Sequence, residues 1–146
     1  MLRFTAALAA LALLGAGCGK SKQDEYADGL KPVNQHLNAF VQDVSRSVTG
    51  ASTKTDEQLA RQFGGLGDRA GVLRKQLDDL DPPDDLRTEQ KTLVSALRKS
   101  EHALHAVQQA ASQHKASEAG AATLAIATTT LAVEGARRQL TREVRR

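Results

Sequence analysis

The clearest structural signals of the chain lie in LARQFGGLGDRAGVLRKQLDDLDPPDDL, residues 59–86. Its apolar side chains recur at alternating steps of four and three residues, which is the spacing of one face of an α-helix. They are Leu59, Phe63, Leu66, Ala70, Leu73, Leu77 and Leu80. Upstream, Thr55 and Gln58 have the form of a capping box, which predicts that the helix begins there. Downstream, the DPPD stretch at 81–84 predicts a helix stop and a restart with Asp81 as the N-cap and a proline in the first turn.

Three further segments carry helical apolar stripes. The first holds Tyr26, Leu30, Val33, Leu37, Phe40, Val44 and Val48; the third holds Leu86, Leu93, Leu97, Leu104, Val107 and Ala111; the fourth, from Ser117 to about Val144, holds Leu124, Ile126, Leu131, Val133 and Leu140. Loop-like composition at 49–54 and at 112–117 separates them. The pattern predicts an all-α fold, an antiparallel up-down four-helix bundle, with three long helices as the alternative.

Two features of these segments leave alternatives open. Pro32 lies inside the first stripe, so that helix either starts near Lys31 or is a longer helix kinked at the proline; the unbroken stripe favours the longer helix. Glycines crowd the second segment at 64, 65, 67 and 71, and each costs about 1 kcal/mol relative to alanine inside a helix. We expect a close approach by a neighbouring helix, a bend near 64–65, or a frayed helix.

Composition supports helices and excludes some function classes. The chain has one Tyr, three Phe and no Trp in 146 residues, so the core must consist mainly of Leu, Val and Ala, which suits packed helices better than a sheet. Residues 18–85 carry nine Lys and Arg against twelve Asp and Glu, and residues 86–146 carry ten against five. This balance lacks the sustained basic excess of a nucleic-acid-binding protein, and we predict no nucleic-acid partner.

The amino terminus has the pattern of an export leader. Arg3 precedes the uncharged stretch FTAALAALALLGAG, residues 4–17, which is shorter than the roughly 20 residues needed to cross a bilayer. It ends in Leu14-Gly15-Ala16-Gly17-Cys18, and this sequence resembles the lipobox of bacterial lipoproteins. The family pattern usually has Leu, Val or Ile at the place of Gly15. The alternatives are an ordinary secretory signal cleaved near Ala16, or a cytosolic protein with an apolar N-terminal helix.

The leader and the proline turn together resemble a wider group. Leu14–Cys18 and the LDDLDPPDDL stretch at 77–86 are similar to those of small helical lipoproteins of high-G+C Gram-positive bacteria. The resemblance implies an extracytoplasmic address and a helical fold, and it supplies no active-site residues.

We therefore predict a leader at 1–17, a polar tether at 18–25 and a bundle domain at 26–146. Cys18 is the predicted lipid attachment site, carrying a diacylglycerol and further acyl chains such as palmitate. Two or more chains make membrane attachment stable without any protein–lipid contact. The predicted location is the outer face of the cell membrane. Because Cys18 is the only cysteine, no internal disulfide is possible.

Candidate chemistry in the remaining sequence is sparse. His102 and His105 lie three residues apart on the third helix and could share a metal, but surface histidines are the favoured interpretation, and we expect no metal and no cofactor. Five arginines near the carboxyl terminus could contact anionic lipids or wall polymers, or simply suit the negative end of the helix dipole. They are Arg137, Arg138, Arg142, Arg145 and Arg146. No nucleophile or phosphate-loop motif is present, so we predict a protein that is not an enzyme.

Three functions remain after these exclusions. The leading hypothesis is a membrane-anchored, extracytoplasmic module that binds a protein or envelope partner. The second is a bundle that binds a small ligand or metal near Gly64–Gly71 or at the two histidines. The third is a spacer that associates with itself through its heptad stripes. A buried polar residue beside a cavity would favour the second, and an exposed leucine stripe would favour a partner or self-association.

Overall fold

The computed structural model describes residues 20–146, and these form four helices. Their bounds are Lys22–Thr49 for α1, Asp56–Asp78 for α2, Arg87–Ser112 for α3 and Ala116–Val144 for α4. Single 3-10 turns at Ala51–Thr53 and Asp84–Leu86 lie in the first two connections. Between residues 20 and 146 there is no strand. The all-α prediction is confirmed, with four helices rather than three, while the predicted leader and Cys18 lie outside the described residues.

Contacts at the two ends of the molecule show how α1 lies against its neighbours α4 and α2. At one end, Gln23 Nε2 donates to the Val144 carbonyl oxygen at 3.4 Å, so the start of α1 lies beside the end of α4. At the other end, Gln62 Nε2 donates to Ser47 Oγ at 2.6 Å, so the end of α1 lies beside the start of α2. The backbone of α3 approaches those of α2 and α4 more closely than α1 approaches either.

The first helix starts earlier than the predicted domain boundary at residue 26. Ser21 is its N-cap and forms a capping box with Asp24, so residues 22–25 of the predicted tether are the first helical turn. The helix then continues through Pro32 to Thr49, as the longer of the two alternatives predicted. Of the described residues, Lys20 and Ser21 precede the helix.

The predicted apolar stripes of α1, α2 and α3 form the core. Both phenylalanines of the described chain, Phe40 and Phe63, are fully buried. Around them lie leucines and valines from all four helices, which agrees with the core that the composition predicts. The other fully buried apolar side chains are Leu37, Leu77, Leu86, Leu93, Leu97, Leu104, Ile126, Leu140, Val44, Val107, Val133 and Ala70.

The start of α3 differs from the prediction. Asp81 is not an N-cap; the 3-10 turn Asp84–Leu86 intervenes and the α-helix begins at Arg87. The reason is the second proline, because a residue that precedes proline is disfavoured in the helical conformation. Pro83 itself is extended, with ψ 155°. Leu86 at the end of the turn is nevertheless buried, as its place in the stripe predicted.

The fourth helix contains the largest error of the sequence analysis. Leu124 and Leu131 were expected in the core, but 76 % and 74 % of their surface is exposed. The buried positions are Ile126, Thr130, Val133, Ala136 and Leu140. A step of two residues turns a helix by about 200°, so the two leucines lie nearly opposite Ile126 and Val133. The helix carries two apolar stripes, and α1 and α3 cover only one of them.

The connection between α3 and α4 ends α3 in a Schellman motif. The Lys115 N–H bonds to the Ala110 carbonyl at 2.9 Å and the His114 N–H to the Ala111 carbonyl at 3.0 Å. His114 stands at the position that usually holds glycine and has φ 56°, the left-handed region. Its ring also bonds to an Asp56 carboxylate oxygen at 2.8 Å.

Replacing His114 by glycine is expected to raise the free energy of unfolding by about 0.5 kcal/mol, because glycine adopts this backbone conformation without strain. The lost Asp56 contact subtracts little because both groups are exposed. Urea denaturation of His114→Gly against the parent chain measures the change. His114→Ala is the matched control, since it removes the ring but keeps the strained backbone, and it should not gain stability. A gain equal in both variants would contradict the role of the backbone.

Candidate functional site

The exposed side of α4 is the most unusual surface of the described chain. No charged residue occurs between Glu118 and Glu134, and the outward side of this stretch carries the two exposed leucines. We define the α4 face as the exposed residues Gly120, Leu124, Thr128, Leu131 and Gly135. Single exposed leucines are ordinary on protein surfaces, but a contiguous uncharged strip is typical of an interaction site.

The two glycines of the α4 face have no structural explanation within the bundle. A Cβ added at Gly120 or Gly135 would meet nothing within 4 Å, which is also true of Gly65 on α2. Elsewhere the fold accounts for its helical glycines: a Cβ at Gly67 would lie 2.7 Å from His105 Nε2, and one at Gly64 would lie 2.8 Å from Gln108 Cδ. Of the three alternatives for the α2 glycines, the close approach of a neighbouring helix, α3, is therefore the one observed at Gly64 and Gly67.

A groove between α1 and α4 adjoins the α4 face. It has a volume of about 310 Å³ and opens beside Leu131. Its lining is mostly apolar: Val44, Ser45, Val48, Ile126, Ala127, Thr130 and Leu131. Thr130 is 9 % exposed, and its hydroxyl oxygen has no hydrogen-bond partner among the described residues. This combination of a buried polar group and a cavity is what the ligand-binding hypothesis expected, although at a different place from Gly64–Gly71.

By length and composition α4 could also cross a membrane. Its most apolar window has a mean hydropathy of 1.2, and 22 % of that window is buried inside the protein. In the bundle, however, α4 packs on its neighbours through Ile126, Val133 and Leu140. The high hydropathy therefore comes largely from residues that the fold leaves exposed.

The predicted arginine cluster is split by the structure. Arg137 is 18 % exposed and forms two hydrogen bonds with Glu134, at 2.8 and 2.9 Å, so it does not belong to an open surface. Arg138 bonds to the same carboxylate at 2.7 Å. The Arg137 hydrogen bond, with that of Arg138, keeps the pKa of Glu134 below its ordinary value. Arg142 and Arg145 are exposed.

Arg146, the last of the five predicted arginines, pairs with Glu143 at 3.0 Å. Arg142 lies on the same side of α4 as Leu124 and Leu131, since it follows Leu131 by eleven residues, or about three helical turns. Arg138 follows Leu131 by two turns on that side. The α4 face thus runs into a basic strip at its carboxyl end.

The two candidate metal ligands do not form a site in the structure. His102 is exposed, whereas the His105 ring lies over Gly67 and its Nδ1 is 2.8 Å from Gln108 Oε1. The nearest carboxylate to His105 Nε2 is that of Asp68, at 3.7 Å. Within residues 20–146 no group of three or more His, Cys, Asp or Glu side chains is placed to hold a metal ion.

Sequence reasoning missed the α4 face and the groove. The signal was available: Leu124 and Leu131 are seven residues apart, and Ile126, Val133 and Leu140 repeat the same spacing two residues later. A helix with two such series presents two apolar faces, and only one of them can point into a core of this size. Which one does so depends on α1 and α3.

Comparison with known proteins gives no relative for this chain, since no family model, no curated protein and no solved structure matches it.

Proposed function

We propose that this chain is a non-enzymatic lipoprotein, anchored to the outer face of the cell membrane through Cys18, whose helical bundle binds a partner at the cell envelope. One observation carries the proposal. The uncharged stretch 4–17 leads into Cys18, and the first helix of the folded domain begins at Lys22. The resemblance of this leader to the lipobox, and of the chain to small helical lipoproteins, supports the same location.

The short connection between Cys18 and the bundle keeps the bundle close to the membrane. Three residues separate Cys18 from Lys22, and an extended chain spans at most about 3.6 Å per residue. The bundle would then lie within about 15 Å of the lipid attachment point. A protein held so closely acts on partners at the membrane surface.

The α4 face supports the binding role. Its exposed Leu124 and Leu131 are the leucine stripe that favours a protein partner or self-association. Binding of a small apolar ligand is the second candidate, and the groove beside Thr130 favours it. Native mass spectrometry of chain purified from membranes would reveal a bound small molecule.

Replacing Cys18 by serine is expected to move the protein from the membrane fraction to the soluble fraction almost completely, because the acyl chains supply the attachment. Membrane fractionation, together with metabolic labelling by a palmitate analogue, measures this. Gly19→Ser is the matched control, since it changes the neighbouring residue and leaves the thiol. Unchanged fractionation of Cys18→Ser, or mass spectrometry showing an unmodified thiol in the native protein, would contradict the proposal.

A further inference from the structure

We infer that the partner of the α4 face is a second copy of this chain, docked antiparallel so that the two α4 helices pack along their exposed leucines. This inference deepens the proposed binding role and rests on it. It does not depend on the lipid at Cys18.

The spacing along the α4 face is self-complementary. Four of its five residues, Gly120, Leu124, Leu131 and Gly135, are separated by four, seven and four residues, so their order reads the same from either end. The fifth, Thr128, falls beside the axis, opposite Ala127 of the second copy. A twofold axis through the middle of the face places Leu124 opposite Leu131 of the second copy and Gly120 opposite Gly135 of the second copy. A twofold contact uses the same patch on both subunits, which such a pattern satisfies.

Pairing also accounts for the two glycines that the bundle leaves unexplained. Gly120 and Gly135 are exposed in a helix interior and have open space where a side chain would be. Small residues on facing helices let the backbones approach closely, and here each glycine would face the other at the two ends of the leucine seam. The seam between them is about 22 Å long at 1.5 Å per residue.

Charge decides between the antiparallel and the parallel arrangement. A parallel pair would bring Arg138 against its own copy and Arg142 against its own copy, and like charges across an interface are unfavourable. The antiparallel pair instead places Arg138 opposite Ser117, beside the ion pair that Glu118 forms with Lys115 at 3.2 Å, and thereby removes the contact between like arginines.

The arrangement is compatible with a shared membrane. Each α4 is flanked by α1 on one side and α3 on the other. A twofold axis between antiparallel α4 helices puts both α1 helices on the same side of the dimer. Two copies that are tethered just before Lys22 could then lie flat on one membrane surface. Tethering to that surface also raises the effective concentration of one copy near another.

Cysteine cross-linking of the full chain in membranes tests the register. Gly120→Cys and Gly135→Cys chains are expressed separately and together; the antiparallel pair predicts a disulfide dimer mainly when both are present. The parent chain, which carries only Cys18, gives the background. Val72→Cys is the matched control, since Val72 is 57 % exposed on α2, away from the α4 face. A strong dimer of Gly120→Cys alone would overturn the antiparallel register, and no cross-link in the mixture would overturn pairing through this face.

The mass of the full chain in mild detergent tests the association itself. Light scattering is expected to give a dimer for the parent and for Val72→Lys. It should give a monomer for Leu131→Lys, whose dissociation constant should rise at least about tenfold. Circular dichroism confirms that both variants stay helical. A monomeric parent, or a Leu131→Lys chain that remains dimeric, would overturn the inference.

Protection of Leu131→Cys from a water-soluble maleimide in monomeric, membrane-bound chain would instead assign the face to the lipid surface. Loss of the anchor in Cys18→Ser would leave the cross-links readable in the soluble fraction, so the two proposals fail separately.

Discussion

Replacing Phe63 by alanine is expected to lower the free energy of unfolding by about 3–5 kcal/mol, because it leaves a cavity in a close-packed core. Phe63 is fully buried, and Phe40 is the only other phenylalanine in the described chain. A core built mainly from leucine, valine and alanine has few other side chains large enough to fill the space. Gly64 and Gly65, which follow Phe63, cannot supply the lost volume.

Urea denaturation monitored by circular dichroism measures this loss. Val72→Ala on the same helix is the control, since Val72 is mostly exposed and its truncation should change the free energy of unfolding by no more than about 0.5 kcal/mol. A Phe63→Ala loss below about 1 kcal/mol would contradict the burial of this ring in a single packed core.

Replacing Gln90 by leucine is expected to cost about 2–4 kcal/mol, although leucine has nearly the same size, because it leaves buried polar groups unpaired. The Gln90 side chain is 7 % exposed and connects three helices. Its Nε2 donates to the Leu77 carbonyl oxygen at 2.8 Å and to that of Leu80 at 3.2 Å, at the end of α2. Its Oε1 accepts a hydrogen bond from the Tyr26 hydroxyl at 2.7 Å.

Tyr26→Phe isolates one arm of this network. It removes a single hydrogen bond and should cost about 1 kcal/mol. Burial raises the pKa of Tyr26 to about 12, so the hydroxyl keeps at neutral pH the proton that it donates. The double variant should lose less than the sum of the two single losses, since each residue removes the partner of the other. Strict additivity in urea denaturation would contradict the hydrogen bond between them.

Local sequence signals predicted much of the fold because they act within one helix. The capping box at Thr55 and Gln58, the loop at 49–54 and the proline turn act through contacts a few residues apart, and the structure has helix ends near all three. The same holds for the stripes of α1 and α2, where polar residues occupy the opposite side. A single polar side leaves only one way to bury the helix.

Prediction failed where a single local signal was outweighed by a neighbouring residue. At the start of α3, Asp81 could cap a helix, but two successive prolines hold the chain extended and delay the helix to Arg87. The arginine cluster looked like one basic surface because Glu134 was not expected to bind both Arg137 and Arg138. Neither the capping motifs nor the apolar stripes predicted the α4 face, because it consists of residues that the packing of α4 leaves exposed.

Local sequence signals are enough to predict four helical segments within residues 20–146, where most of them begin and end, and which side of α1 and α2 is buried, because those choices depend on neighbours along the chain. Only the tertiary structure decided which of the two apolar stripes of α4 enters the core. Burial of either series is favourable, and the positions of α1 and α3 fix the space into which one of them fits. That space accepts the first series, and the exposed second series is the surface through which we propose that the protein acts.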